Sequence, residues 1–238
     1  VSKHNHMLAE ELETAHKMQM RLMPQESPKI AGFDIEGWCK PATEVGGDFF
    51  QYFTSDDHRL VMILADVTGH GMEAAIPTMV LSGILESQIK LENKPDNLLT
   101  ELNGSLYRIL DKRTFICFCA VEIDMNERIL SMSNAGIPYP YLYSYNSGGV
   151  EEIDLTALPL GLRAEASYPI CQKKLERGDF LIFCTDGIVE SQNSRGEHFG
   201  FDRLINCIQS GGMDSLSAKE LIDKIFKKVS DFSGESQR

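Results

Sequence analysis

Nowhere in these 238 residues does an uninterrupted apolar run approach the length that a membrane-crossing helix needs, which is about 18 residues. Positive charge is scarce: Lys and Arg total 23 against 35 Asp and Glu, a formal net charge of −12. With no basic cluster to offset the carboxylates, binding to a nucleic-acid backbone is excluded as a main role. Cysteine is thinly scattered, at positions 39, 117, 119, 171, 184 and 207. Cys117-x-Cys119 has no second pair to complete a zinc site. The thiols therefore read as reduced core residues of a cytoplasmic protein, with no secretory leader and no membrane span. Tryptophan occurs once, at Trp38.

What is present is a recurring design. An unbroken apolar run, Leu60 to Ala65, ends in Asp66, and Val67-Thr68-Gly69-His70-Gly71 follows. The run reads as a buried strand that delivers one carboxylate to its end. The glycines let backbone come close to whatever that carboxylate holds. Phe180 to Thr185 repeats the pattern and ends in Asp186-Gly187, while Val45-Gly46-Gly47 precedes Asp48 in a third strand-like run. Three aspartates at glycine-flanked strand ends make a set of hard oxygen donors. Such donors suit Mg²⁺ or Mn²⁺, whereas zinc sites usually recruit His and Cys.

Gly46-Gly47-Asp48, Asp66-Val67-Thr68-Gly69-His70-Gly71, Asn134-Ala135-Gly136 and Thr185-Asp186-Gly187 stand in an order that resembles PPM-type (type 2C) serine/threonine phosphatases, closest to their bacterial RsbU/SpoIIE-like branch. The likeness covers roughly residues 8 to 238. It implies a metal-dependent phosphoserine/phosphothreonine protein phosphatase holding two ions, Mn²⁺ or Mg²⁺. Asp66 would bridge both, the Val67 carbonyl would add a ligand, and Asp48 and Asp186 would complete the binding. The implied substrate is a phosphorylated STAS-domain antagonist of an anti-sigma factor, with a sensor or receiver domain upstream in the full-length chain.

Some residues depart from that pattern. The family's acid histidine lies two places after the bridging aspartate, where this chain has Thr68, so His70 reads as a supporting residue. Relatives carry an aspartate three places after the residue matching Asp48; here it is Gln51. They also end in an Asp-Asp-x-Thr strand, whereas this sequence runs Phe232 to Arg238 and stops, so the natural protein is expected to continue. These departures motivate an alternative, a catalytically weak regulatory module that binds partners. A generic phosphodiesterase is a weaker option. Lys40 is a candidate phosphate contact, though a solvated lysine is the simpler reading, and solvation is the default for Glu190, Glu197 and Asp202.

The order of elements predicts an α+β fold. Residues 2–22 read as a helix whose Leu8, Leu12, Ala15, Gln19 and Leu22 follow a short heptad seam suited to a homodimer, and residues 1–24 form a linker ahead of a domain at 25–238. Strands at 33–39, 45–53 and 59–65 follow, the last two joined by a turn at Ser55-Asp56-Asp57-His58. Ile76, Met79, Val80, Gly83 and Ile84 mark the apolar face of the next helix, and Leu98, Leu99, Leu102, Leu106, Ile109 and Leu110 that of the second. Strands resume at 115–123, 128–133, 139–145 and 150–155, and 168–175 is expected to pair with 179–184. Ser217-x-x-Glu220 is a capping box for the last helix. Two antiparallel sheets flanked by helix pairs, a four-layer αββα sandwich with an N-terminal linker helix, satisfy this order and agree with the resemblance.

Overall fold

The computed structural model describes residues 13–40, 45–55, 58–90 and 94–234. Its elements are helix α1 (13–22), strands β1 (Asp48–Ser55) and β2 (Arg59–Val67), helices α2 (Met72–Gln88) and α3 (Pro95–Ile109), strands β3 (Ile116–Asp124), β4 (Ile129–Ala135), β5 (Tyr141–Ser144), β6 (Gly149–Glu152), β7 (Cys171–Lys174) and β8 (Phe180–Ile182), and helices α4 (Asp186–Val189), α5 (Gly200–Met213) and α6 (Ala218–Ser233). They form an α+β fold with one sheet ordered β1-β2-β3-β4-β7 and another ordered β6-β5-β8. The chain divides into two units, the first holding the five-stranded sheet and the second the three-stranded one.

In the first unit, β1 to β4 run antiparallel, and side chains alternate between faces. One face carries Phe49, Val61, Ile63, Ala65, Phe118 and Ala120 into a core with Leu81 and Leu85 of α2 and Leu98, Leu99, Leu102 and Leu106 of α3. β3, almost wholly buried, lies between β2 and β4. Buried Asn103 on α3 fastens the 155–173 segment: its amide donates to the carbonyls of Arg163 (3.0 Å) and Ala164 (3.3 Å), and its oxygen accepts from the Gly161 amide (2.9 Å).

Several expectations are corrected here. α2 buries Ala74, Ala75, Thr78, Leu81, Ser82 and Leu85, the side opposite the face marked by Ile76, Val80 and Gly83. Small residues let the helix lie close to the sheet, and close packing outweighs apolar count. The segment 33–39 alternates in exposure but forms no named strand; it makes a single bridge, Ile30 to Phe33. β7 and β8 do not pair with each other; β7 joins the first sheet and β8 pairs with β5. β8 is a half-buried edge strand among the described residues, not a buried one. Ile109 of α3 is 57% exposed. Gln19, assigned to a dimer seam, is 1% exposed and docks on its own unit; Leu8 and Leu12 lie outside the described residues.

In the second unit, Tyr141 and Tyr143 of β5 pack on Leu204, Cys207 and Ile208 of α5 and Leu221, Ile225 and Val229 of α6. Ser217 caps α6 as its sequence requires: its hydroxyl accepts from the Glu220 amide, and Glu220 accepts from the Ser217 amide at 2.8 Å. Asp34 accepts from the Ala218 amide at 2.7 Å, and Trp38 meets Phe226 edge-on, so the 27–38 segment lies on α6.

Gly211-Gly212 within α5 admits the Tyr143 ring. A Cβ on Gly212 would sit 2.3 Å from that ring, whereas one on Gly211 meets the end of the Leu221 side chain. Alanine gains about 1 kcal/mol of helix propensity over glycine, and overpacking costs about 1–3 kcal/mol. The overlap at Gly212 lies at the steep end of that range. Gly212→Ala should therefore lower the unfolding free energy, read from denaturant titration, by a net of about 1–2 kcal/mol, with Gly211→Ala losing less, because a side-chain tip yields more readily than a buried ring. Equal losses would contradict this packing.

Candidate metal centre

Period-2 alternation and the β1–β2 hairpin fix where the first carboxylates go. Asp48 and Asp66 are direct cross-strand partners, and Asp66 is in turn opposite Cys117 on β3. Direct partners on antiparallel strands point to one face with Cβ atoms about 5 Å apart. Both aspartates are half-buried. Two hard-oxygen donors side by side on one face fit a divalent cation in kind and in spacing.

The turn before Asp48 is built on a close backbone approach. A Cβ on Gly47 would lie 2.3 Å from the Val67 carbonyl oxygen, so only glycine fits. The Val67 amide donates to the Gly47 carbonyl at 3.2 Å. Two side chains that the sequence reading did not assign to the site hold this turn. The Gln19 amide group donates to the Gly46 carbonyl, and its oxygen accepts from the Gly46 amide at 3.1 Å. Thr78, buried in α2, donates to the Ala74 carbonyl at 2.9 Å and reaches the Gly47 carbonyl at 3.4 Å. The available signal was the same in both cases, a polar residue at a helical position that faces the sheet.

The two departures from the family pattern have structural accounts. The Thr68 hydroxyl donates to the Phe115 carbonyl and accepts from the Phe115 amide, both at 3.1 Å, so it completes the β2–β3 ladder. Gln51 lies three residues after Asp48, an odd offset that turns it to the opposite face of β1. There its amide donates to the Leu22 carbonyl at 3.0 Å, capping the end of α1. His70 is exposed between Gly69 and Gly71, both with positive φ.

Asp186 lies in the second unit. It is exposed and opens the short helix α4, where its carbonyl accepts from the Glu190 amide at 2.8 Å. Among the described residues, no three His, Cys, Asp or Glu side chains are gathered into one metal-holding group. Lys40, Glu190, Glu197 and Asp202 are exposed, in line with simple solvation.

With this geometry in hand, the sequence matches the model of SpoIIE, stage II sporulation protein E, over residues 56–238. The chain belongs to the SpoIIE family. Phosphoserine phosphatase RsbU of Bacillus subtilis is 25% identical over 227 residues, covering 93% of this chain and 66% of RsbU. The SpoIIE-family chain thus spans just under two thirds of that relative. The PP2C domain of SiaA from Pseudomonas aeruginosa superposes with a TM-score of 0.86 at 22% identity, covering 99% of this chain and 94% of that one. RsbX, solved in complex with magnesium, superposes at 0.58 and 16% identity over 84% of each chain. The fold is therefore that of PP2C-type domains.

Cys39 reports on the charge beside it. Burial first, and then the Asp48 carboxylate, push its thiol up to about 12. At pH 8 iodoacetamide should modify it on the order of a thousandfold more slowly than a free thiol. The raised thiol favours the folded state in full below about pH 8.5, and that contribution is lost as pH rises toward 12. Ready alkylation of the folded protein at pH 8 would contradict it. At the turn, Gly47→Ala should cost about 3 kcal/mol, because the obstacle is backbone that cannot rotate away. A denaturant midpoint within error of wild type would show that the turn does not need the approach.

Proposed function

We propose that this chain is the catalytic domain of a metal-dependent phosphoserine/phosphothreonine protein phosphatase in bacterial signalling. The observation that carries the reading is the Asp48–Asp66 register beside the glycine-built turn at Val67, in a chain of the SpoIIE family. At such a carboxylate set, bound Mn²⁺ or Mg²⁺ ions neutralise the phosphoryl oxygens and lower the pKa of an attacking water. By the family resemblance, Asp66, Asp48 and Asp186 would hold the ions, with the Val67 carbonyl as a neutral ligand. Asp186 is assigned by its Thr-Asp-Gly motif. Thr68 is not the proton donor in this reading, since its hydroxyl already serves the Phe115 carbonyl.

The substrate class that best suits the family is a phosphorylated STAS-domain protein acting on an anti-sigma factor. The full-length protein would act in the cytoplasm, with a sensor or receiver domain upstream and a linker at 1–24 that brings two copies together. No helix among the described residues is long and apolar enough to cross a membrane. One observation favours a second reading, a weakly catalytic regulatory module: Gln51 serves a helix end instead of supplying a carboxylate.

The deciding assay offers a phosphoserine protein and a phosphodiester, with Mn²⁺ and then with EDTA. Phosphoserine turnover that stops with chelation is expected. Asp66→Asn and Asp186→Asn should each abolish it while leaving the thermal midpoint unchanged or higher, because one of several like charges is removed. Turnover indifferent to EDTA, or near-normal activity in either variant, rejects the site. Faster diester cleavage rejects the substrate class, and a folded but inactive wild type supports the regulatory module.

A further inference from the structure

The row of cross-strand partners that begins Asp48–Asp66 continues to Cys117 of β3. A Cβ on Gly136, just past β4, would lie 3.1 Å from the Cys117 sulfur and 3.0 Å from Cγ of Pro159. The turn at Pro159 therefore lies at the same end of the first sheet as the two aspartates. From there the chain runs to the last turn of α3, where a Cβ on Gly161 would sit 3.7 Å from Leu110 Cδ1. Its backbone is pinned along the way. Leu160 exchanges two hydrogen bonds with Ile116 (2.9 and 2.8 Å), the Gly161 amide donates to Asn103, and the Arg163 and Ala164 carbonyls accept from Asn103. Leu158 and Leu162, 41% and 39% exposed, flank this fixed turn, and exposed Ile109 ends α3. A loop so tied cannot turn its leucines inward. Held in water they add nothing to the fold, and such residues mark a contact surface.

The same rim is positive in a chain of net charge −12. Residues 108–114 and 157–165 carry Arg108, Lys112, Arg113 and Arg163 against Asp111 and Glu165, all of them exposed. Cations near a helix C-terminus oppose its dipole, which accounts for Arg108 and Lys112. It does not account for Arg113 and Arg163. Arg113 meets Asp111 at 3.7 Å, but both side chains are well exposed, and water screens such a pair.

We propose that this rim docks the segment of the substrate protein beside its phosphoserine, and that it selects flanks carrying apolar side chains and carboxylates. The inference rests on the phosphatase reading above and adds the chemistry of the preferred substrate. The leucines receive the apolar side chains, and the two arginines pair with carboxylates, which their planar groups match. Elsewhere the molecule's net charge repels an acidic partner, so a positive rim also steers that partner toward the metal end of the sheet. Because the loop is already fixed, docking does not have to order it.

Two phosphoserine peptides of equal length test this, one flanked by Leu and Glu and the other with Lys in place of each Glu. p-Nitrophenyl phosphate, too small to reach the rim, reports on the metal centre alone. With Mn²⁺ at low salt, kcat/KM should favour the glutamate peptide about tenfold or more, and the preference should shrink as salt rises. Arg113→Glu combined with Arg163→Glu should reverse it. Leu162→Ser should raise KM for the glutamate peptide several-fold. Turnover of p-nitrophenyl phosphate and the thermal midpoint should stay at wild-type values in all these variants. Anisotropy of the labelled peptides in EDTA, where nothing is cleaved, should rank them in the same order. An active wild type that treats the peptides alike rejects the rim and keeps the phosphatase. An inactive wild type that still ranks them in EDTA rejects the phosphatase and keeps the rim. A preference that survives the double reversal, or a Leu162→Ser chain with wild-type KM, overturns the proposal. So does binding to phosphatidylserine vesicles through Arg113 and Arg163 by a chain that ignores both peptides.

Discussion

Two carboxylates on directly opposed strand positions repel each other by about 3 kcal/mol at 5 Å in an effective dielectric near 20. The first unit nonetheless sets Asp48 against Asp66, with half-buried Cys39 close enough to register the charge. What keeps them there is backbone. The Gly47 carbonyl bonds the Val67 amide, and the absence of a Cβ on Gly47 is what brings the two strands together at that end. Gln19 and Thr78 then hold the turn from two different helices. Backbone and side-chain hydrogen bonds thus hold the two carboxylates side by side, the condition under which a site can take a cation without losing its shape.

Much of this was legible because strands obey a strict period. Apolar runs at 60–65 and 115–123 located β2 and β3, and a short hairpin turn left one register that buries Phe49, Ile63 and Ala65, which forces Asp48 opposite Asp66. The capping box at Ser217 was readable for the same reason, being wholly local. Failures came where contacts at long sequence separation decided. The pairing partners of β7 and β8 depend on which sheet each reaches. The inward side of α2 was misjudged because large apolar residues were counted, whereas Ala74, Ala75, Thr78 and Ser82 let the helix approach the sheet. Gln19 drew notice as a polar residue in an apolar stripe, but its partner, the backbone of Gly46, is invisible in a side-chain pattern.

Thr68 and Gln51 show how one fold accommodates departures from a family pattern. In each, a polar side chain that resemblance would place in the chemistry satisfies backbone instead: Thr68 extends a ladder, and Gln51 closes a helix end. The hydrogen-bonding demands of buried backbone are strong enough to claim such residues. The metal-facing side of β1 therefore has Asp48 as its aspartate, while the opposite side ties the strand to α1. Any activity of the chain has to be understood with that division of labour between the two faces.

The lone tryptophan has an optical consequence. Trp38 is half exposed and stacked edge-on against Phe226 of α6, with ring centroids 3.9 Å apart. No second indole dilutes its emission. Intrinsic fluorescence of this protein is thus a single-site reading of whether the 27–38 segment remains seated on α6. A red shift would register release of that segment alone, and the five-stranded sheet could lose its order with little change in colour. Unfolding followed by emission and by far-ultraviolet ellipticity would coincide only if both units come apart together, so the natural sequence already contains a test of cooperativity.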